Sequence, residues 1–586
     1  MLRLLLTMQM IKLFRSYILN KEIIPYVIFF IITLGVVFCK FGGLLYPEVK
    51  SKWYWLYVSV SIGSLILLAS GYNRTFKFNI PAYLGILLIG YCFIRATTGL
   101  FWLSFLPLPI LLYLISYFTG EISRNNGFGY LSISFVTASF LLAIYGIAQY
   151  ADLLPHNEVF KMHGNFDNPA GYASVLALST PFVLYFTFSE TRLIKRMAWV
   201  IYSIVFITIV LSGSRAGILS TVIISILYII RLKRTKLRNY QIWSKIIAVL
   251  LLITIISGLY FVKKDSADGR LLAWRCTWNM IKDKPLLGHG YKSFDAEYML
   301  YQARYLEQNP DSKFAFLADN VNHPFNEFLL FIAEFGIVAF LLLVVFVAAY
   351  IRECLKNDAT EAFILILSSL SILIFSCFSY PLKYPFTWLI IGFCLGSLSS
   401  LSNREHKQSQ KSIIHILLVA LSSIILLGFT VKDFYYEHKW HNIMNNNVYR
   451  IISGYENLYP TLNKNPYFLY NFAVRLNSIG NYKKSNEIII ESEKISNDYD
   501  VQILKADNYK KQREFYKSKD CYVLASQMCP GRFIPLYELI TIYDSINQSD
   551  MALQIANKII DKPVKIPSAT ISSIKIMMKK RINNDN

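Results

Sequence analysis

NEFLLFIAEFGIVAFLLLVVFVAAY, residues 326–350, starts on an amide and a carboxylate, carries one more acid at Glu334, and is otherwise apolar to its last residue. At 1.5 Å per residue a helix of this length covers the roughly 30 Å hydrocarbon core of a bilayer with a turn or more to spare. The stretch therefore reads as a transmembrane helix with Asn326 and Glu327 held at one membrane surface, beside His323.

Runs of the same kind recur on both sides, at about 23–39, 54–70, 80–94, 98–118, 129–149, 170–188, 198–211, 216–230, 246–262, 361–379, 386–400 and 412–430, which predicts about thirteen spans in all. Composition agrees: of 586 residues 54% are hydrophobic, 15% aromatic and 16% charged, against roughly 25% charged in a soluble domain. The fold class expected is all-α and polytopic. A formal charge of +22 would suit nucleic acid in a soluble protein. In a polytopic one, basic residues gather in cytoplasmic loops against anionic headgroups, and nucleic-acid binding is excluded.

The cations set the orientation. With Arg3, Lys12, Arg15 and Lys21 cytoplasmic, alternate loops carry Arg74 and Lys77, Arg124, Arg192 to Arg196, Arg231 to Arg238, Arg352 and Lys356, and Arg404 to Lys411. The opposite, extracytoplasmic face then holds a long loop and everything after the last span. This gives five regions: an N-terminal interfacial segment 1–22, spans 1–9 over 23–262, a large loop 263–325 with an amphipathic helix, spans 10–13 over 326–430, and a helical region 431–586. In that last region NPYFLYNFAVRLNSIGNYKKSNEII and two following segments are spaced by about 32 to 34 residues. They resemble tetratricopeptide repeats, although the middle unit lacks the usual small residues. Such a module would bind a protein partner or brace the loop.

Eight scattered cysteines show no CxxC or zinc-ligand spacing, so no metal and no cofactor is expected. Cys521 and Cys529 would pair only in an oxidising compartment. Chemistry is instead expected from a few polar groups at the outer surface. Arg215, in the short break VLSGSRAGILSTV, is either a snorkelling side chain or an anion clamp, since a guanidinium matches phosphate oxygens. Leu271, Leu272, Trp274, Trp278 and Ile281 recur at helical spacing, with Arg270, Arg275 and Lys282 at the polar margins and Pro285, Gly288 and Gly290 ending the helix. It would lie on the outer surface as a lipid anchor or as a phosphate site. Asn165, Asp167 and Asn168 before Pro169 either cap a helix or line a sugar-binding rim. His323 and Glu327 are the candidate bases, weighed against a purely structural histidine.

These segments, in this order, resemble the O-antigen ligase and polymerase superfamily of bacterial envelope glycosyltransferases, across about 160–400. SGSRAGILS is similar to its Arg-x-x-x-Leu element, DGRLLAWRCTWNMIKDKPLLGHGYKSF to its loop with an arginine, a tryptophan and a Pro-Leu-x-Gly-x-Gly turn, NFDNPAGYAS to its Asn-rich early span, and NEFLLFIAEFGIVAF to its Asn-Glu-x-Leu…Glu-x-Gly segment. The resemblance implies a bacterial inner-membrane enzyme, with its C-terminal region periplasmic, working without metal or nucleotide sugar. It would transfer a glycan from undecaprenyl diphosphate, with inversion, to a hydroxyl of a protein, of lipid A core in lipopolysaccharide biosynthesis, or of a growing polysaccharide. Arg215, Arg270 and Arg275 would bind the diphosphate, His323, Arg215 and Glu327 would be catalytic, and Asn165, Asn168 and Asn326 would contact glycan. One departure is that the family's ligases place histidine directly before the asparagine, where this chain has Phe325. His323 would reach the same site only through an unwound helix start. The other readings are a polymerase, an oligosaccharyltransferase and, from another class, a lipid-linked sugar transporter. A transporter would string charges along the middle of its spans, whereas here cations sit at span ends.

Overall fold

The computed structural model describes residues 23–70, 78–96, 106–122, 127–232, 258, 260–261, 263–402, 413–444 and 448–585, and their regular secondary structure is helical. Segment 1–22, most of the run at 246–262 and the basic loops around Arg74, Arg124, Arg234 and Arg404 lie outside the described residues. Two compact units emerge, one of Met1–Ile94, Thr98–Leu259 and Leu341–His438, the other of Arg95–Thr97, Tyr260–Phe340 and Lys439–Asn586.

The first unit holds α1 (Ile24–Phe38), α2 (Pro47–Ala69), α3 (Ile80–Arg95), α4 (Pro107–Ile122), α5 (Gly127–Tyr150), α6 (Pro169–Tyr185), α7 (Arg192–Leu211), α8 (Arg215–Leu232), most of α11 (Glu327–Leu355), α12 (Thr360–Phe378), α13 (Pro385–Ser402) and most of α14 (Ile413–Met444). Among the described residues nine helices are long and apolar enough to cross a membrane. Ile24–Phe38, Ile80–Arg95 and Pro107–Gly120 are apolar but shorter. The chain is thus an all-α polytopic membrane protein with nine candidate spans among those residues. The helix predicted at 412–430 continues to Met444, well past its apolar part.

Helix α6 is the centre of this unit. Every residue from Gly171 to Leu184 is buried, which a helix hydrophobic all round requires. Small residues let its neighbours approach closely. A methyl placed on Gly396 of α13 would stand 2.1 Å from the Ser116 Cβ of α4, and one on Gly392 would stand 2.4 Å from the Leu112 Cβ. Hydroxyl pairs add polar ties inside the bundle, Tyr113 with Ser399 at 2.7 Å and Ser220 with Ser371 at 2.8 Å.

The second unit contains α9 (Lys264–Asp283), α10 (Ser293–Gln308), the start of α11 and the C-terminal helices α15 (Val448–Leu462) to α22 (Ala569–Asp585). Three helix pairs follow one another: α16 (Pro466–Ser478) with α17 (Tyr482–Glu493), α18 (Tyr499–Lys511) with α19 (Phe515–Met528), and α20 (Ile534–Ser545) with α21 (Ser549–Asp561), each element starting 33 to 35 residues after its counterpart. The turn inside each pair carries one left-handed residue at the same place: Gly480, Arg513 and Asn547, with φ of 83°, 63° and 58°. The middle pair does have small residues at its tightest contact. The Ser518 hydroxyl donates to the Ala506 carbonyl at 2.9 Å, as Ser485 does to Ala473 at 2.7 Å, and all four are buried. All eight cysteines are free, so Cys521 and Cys529 are buried thiols and not a disulfide.

Candidate functional site

The second unit is organised around a break in α11. Gly336 there has φ 80° and ψ 176°, which interrupts the ladder of helical hydrogen bonds and deprives nearby carbonyls and amides of their usual partners. The turn Pro285–Gly290 replaces them. His289 N–H donates to Ala333 O at 2.9 Å and Gly290 N–H to Glu334 O at 2.8 Å, while Ile337 N–H donates to Pro285 O at 2.9 Å and Val338 N–H to Leu286 O at 3.4 Å. Only glycine fits such an approach. A Cβ on Gly336 would lie 2.1 Å from Leu286 O, and one on Gly288, itself at φ 67°, would lie 2.5 Å from Glu334 O. The Pro-Leu-Leu-Gly-His-Gly and Glu-Phe-Gly sequences are therefore two halves of one backbone joint.

His289 locks this joint to the flanking helices. Its Nε2 is 2.8 Å from the Met280 carbonyl and its Nδ1 2.6 Å from Glu297 Oε2, with the side chain only 1% exposed. Both ring nitrogens face acceptors, an arrangement that suits the doubly protonated imidazolium. Burial alone would lower its pKa, but the hydrogen bonds to Glu297 and Met280 outweigh that and hold it above the ordinary value. The His289 hydrogen bond in turn holds the Glu297 carboxyl below its ordinary value.

Helix α11 starts at Glu327, where Asn326 Oδ1 accepts the amides of Phe328 and Leu329, both at 3.0 Å. Phe325 is left-handed, with φ 56°, so the chain is unwound just before the helix. His323 Nδ1 accepts the Phe325 amide at 2.8 Å. A neutral His323 ring must then carry its proton on Nε2, which faces Glu327 Oε2 at 3.6 Å. Two side chains one turn apart on α9 support this turn: the Trp274 indole donates to Pro324 O at 2.8 Å, and the Arg270 guanidinium lies 5.0 Å over the Phe325 ring. Arg275 points elsewhere. It donates to Tyr305 OH at 2.8 Å and sits 5.7 Å from the Phe314 ring, in an open groove with Leu271, Gln308 and Lys313. The structure so brings Arg270, His323, Asn326 and Glu327 to one turn and leaves Arg275 out of it.

The residues leading into that turn are fastened to the helix pairs. Arg532 donates to Asp319 at 2.7 Å while its guanidinium stacks 4.3 Å over Tyr499. Asn320 Nδ2 is 3.3 Å from both Asp498 and Asp500, and Gln302 Nε2 bridges Asp319 O at 3.0 Å and Met528 O at 2.7 Å. Burial would raise the Asp319 pKa, but the Arg532 hydrogen bond outweighs it and the carboxyl sits below its usual range.

The remaining candidates lie in the first unit. Arg215 is half-buried and is the first residue of α8, after a turn in which Gly213 has φ 65°. Asn168 is fully used. Its Oδ1 caps α6 by accepting Ala170 N–H at 2.8 Å and Gly171 N–H at 3.1 Å, and its Nδ2 donates to Tyr380 and Tyr384. Asp167 takes Lys383 at 2.7 Å and Tyr384 at 2.8 Å. The Asn165 carbonyl accepts from Lys52, a buried ammonium that also reaches Glu48 O at 2.8 Å and the Phe166 ring face at 4.6 Å. Lys52, His289, Glu297 and Arg532 were not picked out from sequence. A lysine beside an apolar helix was a usable signal for the first; the others are meaningful only through distant partners. Among the described residues no group of three or more His, Cys, Asp or Glu is placed to hold a metal ion.

Residues 197–344 match the family model described as O-Antigen ligase, a stretch that runs from within α7 to the middle of α11. Over 208 residues, 33% of this chain, the sequence is 26% identical to a Rickettsia typhi protein named "Putative polysaccharide ligase". The chain spans about half the length of that curated relative, 49%. The likeness thus covers part of the chain, and residues 197–344, matched by the family model, contain Arg215, Arg270, the Gly336 joint and the His323–Glu327 turn.

Proposed function

We propose that the protein is a bacterial inner-membrane glycan ligase that transfers a glycan from undecaprenyl diphosphate to a hydroxyl acceptor at the extracytoplasmic face. One observation carries this reading: the segment similar to O-antigen ligase contains a turn where an imidazole and a carboxylate lie 3.6 Å apart and a guanidinium stacks over the intervening Phe325 ring, at the start of an apolar helix. Arg270 is assigned to the donor diphosphate. Arg215 is assigned to it as well, by its charge and its place at the first residue of α8, where the helix dipole also favours an anion.

Glu327 is the better base. Because His323 Nδ1 is taken by the Phe325 amide, His323 presents a proton on Nε2 and not a lone pair. In the proposed step the acceptor oxygen attacks the anomeric carbon and the bond to the diphosphate oxygen breaks, its electron pair leaving with the diphosphate. The hydroxyl proton passes to Glu327, whose carboxylate His323 keeps oriented, and the single displacement inverts the anomeric centre. The arginines stabilise the anion that departs. Asn326 stays a cap with its Nδ2 turned to the glycan, Asn165 remains a candidate glycan contact, and Asn168 serves structure. The helix pairs of 431–586 act as a tetratricopeptide-like brace for the loop and as the region that meets a large acceptor, favouring protein or lipid A core.

The test is transfer by the reconstituted full chain from a synthetic polyprenyl-diphosphate glycan to an added hydroxyl acceptor. Arg270→Ala and Arg215→Ala should each abolish product while leaving abundance and topology unchanged. Normal product from Arg270→Ala removes its role, and no product from the wild-type chain with any of the acceptor classes removes the reading as a whole.

A further inference from the structure

We propose that the tip of the Pro285–Gly290 turn, Leu286 and Leu287, is inserted among the acyl chains of the outer leaflet, and that the bilayer is the partner of this exposed apolar surface. The leucines are 65% and 51% exposed although the turn itself is fixed by four backbone hydrogen bonds. Two large apolar side chains held outward on a rigid tip need a nonaqueous neighbour.

Three observations point to lipid. First, the joint fixes the height of the tip. Of α11, the part after Gly336, Ile337–Leu355, has 19 residues and covers about 28 Å, close to the ~30 Å hydrocarbon thickness by itself. The part before it packs Ile332 and Ala333 with Ile281 of α9 inside the protein, so the bare apolar length of the helix begins at the joint, to which the leucine tip is hydrogen-bonded. Second, exposed apolar residues continue from the tip along that helix: Val338, whose amide binds Leu286 O, then Leu341, Val344 and Val345. Third, the tip is flanked as interfacial segments are. Exposed Lys282 and Lys284 precede it at headgroup reach, and Trp278 on α9 is half exposed. The inference rests on the chain crossing a membrane in the orientation read from its cations, and stands whether or not the protein is a ligase.

The experiment uses the full chain with Leu287→Cys, and separately Leu286→Cys, carrying an environment-sensitive fluorophore and reconstituted in vesicles of phosphatidylcholine and phosphatidylglycerol. The unsubstituted protein sets the background from native cysteines, and Asp311→Cys, at an exposed loop position, is the aqueous control. Both tip labels should show blue-shifted emission and lose most of it to nitroxide lipids labelled high on the acyl chain, with little loss to aqueous iodide, whereas position 311 should show the reverse. Iodide quenching at the tip equal to that at 311 overturns the proposal. Protection from both quenchers, with cross-linking of the tip to a second copy or another protein, overturns it equally and assigns the surface to a protein.

Discussion

Asn168 and Asn326 open two apolar helices in the same manner, each with its side-chain oxygen on two amides of the first turn. Around Asn168 the amide and the adjacent carboxylate are both consumed: its Nδ2 by two phenols, Asp167 by Lys383 and Tyr384. Around Asn326 the neighbours are a guanidinium over an aromatic ring, an imidazole of defined tautomer and a carboxylate 3.6 Å away. A cap at the start of an apolar helix is thus no sign of chemistry. Ionisable groups left facing one another beside the cap are.

This contrast is sharpest for Glu327. Glu327→Gln preserves shape and hydrogen bonding but cannot take a proton, so transfer should fall by about 10²–10⁴-fold at unchanged abundance. Activity close to wild type would erase the distinction between the two helix starts. Next in size is Gly336→Ala. The added methyl has no room against Leu286 O, and the variant should lose more than ~3 kcal/mol or fail to accumulate. Size-exclusion profiles of the detergent-solubilised protein would show it, and a monodisperse, equally heat-stable variant would mean that the joint is not rigid.

A smaller effect depends on pH. His289 has its folded pKa raised, so its contribution is fully present below its ordinary 6.5 and disappears as pH rises through the folded value. Glu297 has its pKa lowered, so its contribution is present above its ordinary 4.5 and disappears as pH falls through the folded value. The pair therefore supports the loop between about pH 4.5 and 6.5 and less on the alkaline side. The melting temperature of wild type minus that of His289→Gln should be largest within that window and shrink above it; a flat difference would show the imidazole to be neutral. Smallest is Asn168→Ala, expected to cost about 1 kcal/mol through the lost cap and to leave transfer intact. A severe loss of transfer there, at normal stability, would move the glycan contact back to the α6 start.

The membrane-crossing helices were readable because apolar runs report burial in lipid directly, and twelve of the thirteen expected runs coincide with helices in the described residues. The unwound turn before Glu327 was foreseeable from Pro324 and the displaced histidine. What sequence could not reveal is pairing. Gly288 and Gly336 each looked like a local turn or helix break, and only their mutual approach makes them one joint. Arg513 and Asn547 give no sequence sign of the left-handed turn conformation that they share with Gly480. Arg270 and Arg275 looked equivalent on a helical wheel margin, yet five residues of helical rotation send them to different surroundings.

The fastening of Asp319 by Arg532 joins residues 213 positions apart. Since a chain is made from its N-terminus, the turn at His323 and its α9 supports, Trp274 and Arg270, exist long before the partner of Asp319 does. The fastening at Asp319 closes only once the stretch through Arg532 has been made. A chain cut short before Arg532 would keep its apolar helices and lose this fastening of the loop that leads into the His323 turn.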